Sequence, residues 1–271
     1  MRRRVLLLCL VLVSCARNTA PIPSPPIAKA PTPVEAGIDL LLAHETVTGL
    51  SATPSPARFD VIYDRLYGKG ALPPDPVPFD EAAFRAELAK AGGGPQEGPW
   101  YVIDDRGAGF QNRVHRLYLA VRAPLAARAV GEIPTAVRKK AIRAWFKVLQ
   151  QLDEYPRTTS AVLFDEEQDD PTAREILRGF AASHPGAVHG ETVPFAERVA
   201  PGISHADQPN EPWPALHAPH SFGSFVSAVI DEAFEREKPQ NRDALVGATL
   251  RGLQRYGIDP ARPWLHGTAP K

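Results

Sequence analysis

The 271-residue chain balances 31 lysines and arginines against 31 aspartates and glutamates, and 44% of its residues are hydrophobic. Without Arg2, Arg3 and Arg4 of the first fourteen residues the balance is 28 basic to 31 acidic groups, and that mildly acidic chain argues against bulk nucleic-acid binding, which calls for a basic stripe. Arginine outnumbers lysine 23 to 8 beside abundant Ala, Gly and Pro, a bias that a GC-rich genome explains better than phosphate binding does.

The chain opens with Arg2, Arg3 and Arg4, then the apolar run Val5 to Val13, then Ser14 and Cys15. A basic segment before a short apolar one reads as a secretory signal, because a membrane-crossing helix needs about 20 apolar residues. The exit Leu12-Val13-Ser14-Cys15 resembles the lipobox of bacterial lipoproteins. The resemblance covers these first residues alone. It implies cleavage before Cys15, lipidation of Cys15 and attachment to a membrane of the cell envelope. Ala16, where an Asp would favour the inner membrane, makes the outer membrane the expected one. Acyl chains hold a protein at about 0.8 kcal/mol per buried CH₂, so two or more anchor it stably. On this reading Cys9 leaves with the signal and Cys15 is consumed by lipid, so the mature chain has no thiol for a disulfide, a metal or a nucleophile.

Residues 15–34 follow as a proline-rich tether, with six prolines between Pro21 and Pro33. Polyproline II at about 3.1 Å per residue would let it span roughly 60 Å; a tail without a spacing role fits equally. The folded part is expected over residues 35–266. Two short helical patterns end at Gly49 and Gly68, and Asp80 caps a helix that Gly92 closes. Trp100 to Asp104 and Val114 to Arg122 then read as the two strands of a β-hairpin. The spacing of Val137, Ala141, Trp145, Val148, Leu149 and Leu152 predicts a helix from Thr135 to Leu152, with Arg138, Lys139, Lys140, Arg143 and Lys147 on its polar side. Ser160 to Phe164 reads as a buried strand, and Pro171 to Ala182 as a helix with Asp170 at its N-cap. Two helices close the chain, one from Ser221 and one ending at Gly257. The expected class is α+β: one helix-rich domain with a small antiparallel hairpin or sheet. No family pattern is recognised in residues 35–271.

Chemistry is sought first between His184 and His220, where five of the eight histidines lie among seven prolines. Little regular structure is expected there, and long loops tend to carry function. His205, Asp207, His217 and His220 are the candidate catalytic residues. His205, His217 and His220 are the candidate metal ligands, with zinc the candidate ion. No H-E-x-x-H or His-x-His spacing supports them, so unrelated loop histidines are the plainer reading. Gly202-Ile203-Ser204-His205-Ala206 approximates a nucleophile elbow but lacks the preceding strand and following helix. The acidic run Asp165 to Asp170 lacks the Gly and Glu of a calcium loop and suits a helix N-terminus instead. Trp213, between Pro212 and Pro214, is the candidate binding residue for a sugar ring.

The preferred expectation is an outer-membrane lipoprotein with a non-catalytic domain, held by lipid and binding an envelope protein or glycan, without cofactor or nucleic acid. The rival is a metal-dependent envelope hydrolase or toxin-like enzyme using the histidine segment.

Overall fold

Strand-like alternation, not helical spacing, governs the middle of this chain. The computed structural model describes residues 30–68, 72, 79–95, 100–104, 114–150, 155, 157–208, 214 and 221–265. Helix α5 (Ala126–Lys140) stops at Ala141, which takes the left-handed conformation at φ 58°. The chain then continues as strand β4 (Ala144–Leu149). The expected helix from Thr135 to Leu152 is thereby corrected. Ala144, Phe146 and Val148 are buried with Trp145 and Lys147 between them half-buried, a period of two that only a strand provides. The helical stripe came from joining the end of one element to the start of another.

The α+β class is as expected. Among the described residues, β1 (Gly94–Pro95), β2 (Trp100–Asp104), β3 (Val114–Leu119), β4, β5 (Ala161–Glu166), β6 (Glu197–Ala200) and β7 (Ile203–Asp207) form one antiparallel sheet in the order β1-β2-β4-β5-β3-β7-β6. The expected β2–β3 hairpin is not formed: β2 pairs with β4, and β3 lies between β5 and β7. Five of the six β3 residues are buried, and a strand covered on both faces needs a neighbour along each edge. Residues 105–113, once expected as the hairpin loop, lie outside the described residues.

Each face of the sheet carries its own helical layer. One face packs Leu117, Leu119, Phe146 and Leu163 against α4 (Glu81–Ala91), α5 and α6 (Asp170–Ser183). The other packs Tyr118, Val162 and Ala206 against α1 (Pro33–Leu42), α2 (Val47–Ala52), α3 (Ala57–Tyr67), α7 (Phe222–Glu237) and α8 (Arg242–Arg255). Several helix starts follow from their caps. Thr32 and Glu35 form a capping box on α1, while Asp80, Ser221 and Asn241 accept from the first turns of α4, α7 and α8.

The histidine-rich segment is more regular than expected, because β6 and β7 form a hairpin within it. Gly202 turns the corner at φ +69°, where a Cβ would stand 2.2 Å from the His189 carbonyl oxygen. The strand missed in Glu197–Ala200 therefore does precede Ser204. Even so, Ser204 sits in the middle of β7, and its buried hydroxyl accepts from the Val193 amide at 3.2 Å. That is a structural hydrogen bond inside a hairpin, and no elbow is formed.

Candidate functional site

Three neighbouring strands carry inward rows that begin apolar and finish ionisable. On β3 the row runs Leu119, Leu117, His115; on β5, Ala161, Leu163, Asp165; on β7, Ile203, His205, Asp207. Cross-strand register sets His115 opposite both Asp165 and Asp207, so all three share one face at one end of the sheet. On β6, Glu197 is the register partner of His205. The first turn of α6 lies across this end and adds Asp170 and Arg174.

The resulting cluster is buried and tightly spaced. His115 Nδ1 stands 3.8 Å from Asp165 Oδ1 and 3.7 Å from Asp170 Oδ1, while its Nε2 stands 3.5 Å from Asp207 Oδ1. His205 Nδ1 meets Glu197 Oε2 at 3.1 Å, and its Nε2 stands 3.7 Å from Asp207 Oδ1. Arg174 donates to Asp170 Oδ2 at 2.7 Å and to Glu197 Oε2 at 2.9 Å, joining α6 to β6. A cleft of about 370 Å³ opens onto the group, with Arg262 and Trp264 also in its wall.

Charge is distributed unevenly within it. Burial, with Asp170 and Asp169 nearby, pushes the Asp165 carboxyl up to about 8 against the pull of Arg174. Burial also takes the His205 imidazole down to about 4, with the charge of Arg174 adding to it against Asp170 and Glu197. For Asp170, burial raises the carboxyl, but His115, His205 and Arg174 outweigh it and hold the group below its ordinary value.

Several polar atoms lack a hydrogen bond. Among the described residues, His115 Nδ1, both Asp165 carboxylate oxygens, Asp170 Oδ1 and His205 Nε2 are buried with no hydrogen-bond partner. One ligand atom from each of His115, Asp170 and His205 falls within 4.8 Å of the others, so this group could hold a metal ion. Ligands about 2.1 Å from a tetrahedral zinc lie roughly 3.4 Å apart. The 3.7 Å between His115 Nδ1 and Asp170 Oδ1 is too long for a hydrogen bond and close to that spacing. Three protein ligands would leave a coordination position toward the cleft.

Of the residues singled out from the sequence, His205 and Asp207 belong to this cluster. His217, His220 and Trp213 lie outside the described residues, as does Cys15. Asp170 is not the N-cap of α6, which is Asp169; its side chain turns into the cluster instead. His115, Asp165, Arg174 and Glu197 were missed. The signal was there in part: His115 and Asp165 each continue an apolar row of period two, where a leucine would be the ordinary occupant.

The HopA1 effector protein family matches residues 96–265, from just before β2 past α8, and so takes in every residue of the cluster. The chain belongs to the HopA1 effector protein family. Two solved structures share this chain's fold. An effector protein from Pseudomonas syringae pv. tomato strain DC3000 aligns at TM-score 0.64 and 18% identity, over 87% of this chain and 99% of that one. An effector protein from Pseudomonas syringae pv. syringae strain 61 aligns at TM-score 0.60 and 16% identity, over 87% and 96%. No curated protein matches.

HopA1 membership corrects three expectations. A family pattern is present in the folded domain after all, over residues 96–265. The outer-membrane lipoprotein reading gives way to that of an effector, because it rested on fifteen N-terminal residues while the match rests on the folded domain. The rival, an envelope hydrolase or toxin-like enzyme, gains no support from the same match. Among the described residues, no helix is long and apolar enough to cross a membrane.

Proposed function

We propose that this HopA1-family protein works as an effector delivered outside the cell that makes it, and that its working site is a divalent-metal centre at the His115–Asp170–His205 end of the sheet. The supporting observation is convergence: two buried imidazoles and a carboxylate come together beside an open cleft, and each of the three side chains keeps a buried atom with no hydrogen bond among the described residues. A buried polar atom without a partner costs about 1–3 kcal/mol, and a bound cation would satisfy three at once. Two imidazoles and one carboxylate suit zinc best among common ions. Asp207 and Glu197 would hold the imidazoles in orientation, the part that outer hydrogen bonds play at metal sites. A protein or glycan partner is proposed to reach the ion through the cleft, past Arg262 and Trp264.

The test is metal content by mass spectrometry of the untagged protein, with a cobalt(II) absorption spectrum as a second readout. Near-equimolar zinc, lost in His115→Ala and His205→Ala proteins that stay folded, is the expected result. A folded parent that retains no metal and shows no ligand-field bands with cobalt would end this reading.

A further inference from the structure

The face of the sheet turned away from the metal cluster holds a second cavity, of about 90 Å³. Its floor is a row of register partners that crosses the sheet: Lys147 on β4, Val162 on β5 and Tyr118 on β3. Val102 on β2 lies on the other side of Lys147, so both of its neighbours in the row are valines. Trp100, Phe164 and, from α3, Tyr63 and Tyr67 supply an aromatic wall, which Ser221 and Gly223 at the start of α7 complete. Lys147 Nζ stands 4.5 Å from the centre of the Trp100 ring.

Lys147 brings an amine to this cavity without a counter-ion. Among the described residues it makes no ion pair, and none that lines the cavity is a carboxylate. Burial holds the hydroxyls of Tyr63, Tyr67 and Tyr118 above their ordinary values, so none of them is an anion at neutral pH. Arg116, engaged with Gln208 and with the Tyr118 hydroxyl, faces the amine from β3 as a second cation. Burial first, and then that charge, takes the Lys147 ammonium down to about 8. At pH 7 about a tenth of such an amine is unprotonated, against about one in three thousand for an ordinary lysine. Desolvation beside another cation is a general way to activate lysine toward carbonyl compounds. We propose that Lys147 is a nucleophilic amine that captures a small aldehyde in this cavity as an imine. The amine nitrogen bonds to the carbonyl carbon, the carbon–oxygen bond breaks, and the oxygen leaves as water with the two protons of the uncharged amine. At roughly 30 Å³ for a water-sized group the cavity holds about three such groups, so an aldehyde of two or three carbons fits and a bicyclic aromatic one does not. The aromatic wall suits its alkyl part.

The experiment is reductive trapping on the full chain, with propanal and cyanoborohydride at pH 7 and at pH 10.5. Peptide mass spectrometry reads the rate of propylation at each lysine, and the exposed Lys90, Lys139, Lys140 and Lys238 serve as internal references. The expected result at pH 7 is that Lys147 reacts at least tenfold faster than any of these four. The lead should shrink at pH 10.5, where the exposed amines lose their protons as well, and vanish when urea unfolds the chain. Naphthaldehyde, too large for the cavity, should label the exposed lysines and spare Lys147. A lead under tenfold at pH 7, a lead that survives unfolding, or labelling of Lys147 by naphthaldehyde as fast as by propanal would overturn the proposal.

Discussion

His115 and His205 meet edge to face between β3 and β7, their ring centroids 5.0 Å apart and their planes at 77°. The register explains the arrangement. His205 is the partner of Leu117 and so stands one inward position deeper than His115, which is the partner of Asp207. Both Nε2 atoms therefore approach Asp207 Oδ1, at 3.5 and 3.7 Å, from adjacent rows of the same face.

Zinc should raise the thermal midpoint of the protein, and a chelator should reverse the change. An ion at 100 times its Kd stabilises the folded state by about 2.7 kcal/mol. Differential scanning fluorimetry with and without zinc checks this, and a His115→Ala or His205→Ala protein is expected to lose most of the response.

Lys147 predicts a pH dependence with a definite sign. Its folded pKa of about 8 lies below the ordinary 10.5, so between those values the unfolded chain binds more protons than the folded one. Stability should therefore rise with pH from about 8 to 10.5, to the extent that solvent around this half-buried side chain does not mask it. Urea unfolding at several pH values measures the slope. Lys147→Met should flatten it, and an unchanged slope would show that the amine titrates normally.

Arg58 on α3 is clamped to α7 by Asp231 at 2.6 Å and by Glu235, with its guanidinium 5.1 Å from the centre of the Phe234 ring. Ser55 also donates to Asp231, at 2.8 Å. Asp231→Ala leaves the buried Arg58 guanidinium with only the half-exposed Glu235 carboxylate and should cost up to about 3–5 kcal/mol in chemical denaturation. A paired Arg58→Met/Asp231→Leu protein should recover much of that loss, because no buried charge is left over.

Gly202→Ala should destabilise more than Gly186→Ala, although both positions have positive φ, at +69° and +85°. Both share the backbone penalty of about 1–2 kcal/mol, but only at Gly202 would a Cβ also press on a backbone oxygen, that of His189. Thermal unfolding compares the two. Because Gly202 turns the hairpin that carries His205 and Asp207, metal retention should fall in Gly202→Ala as well.

Local chemistry made part of this molecule legible in its sequence. The helix α4 was visible from its cap at Asp80, α7 from its apolar stripe and α8 from the Gly257 that closes it, and β2, β3 and β5 from short apolar runs. Each of these signals acts within a few residues, so no partner need be known. Even locally there were traps: α5 and β4 merged into one apparent helix, and β6 passed for loop because its residues are half-buried or exposed. Strand order was out of reach, since β3 pairs with β5 and β7 through contacts remote in sequence. The cluster was out of reach for the same reason. His115, Asp165, Asp170, His205 and Asp207 come from β3, β5, α6 and β7, and only cross-strand register makes their separations a few ångströms. The sequence by itself determined the α+β class and several helix boundaries, and it drew attention to His205 and Asp207 as candidates without showing what they meet. Only the tertiary structure decided which strands pair, which face each ionisable residue takes and which of them meet, because those choices follow from burying two separate faces of one sheet at once.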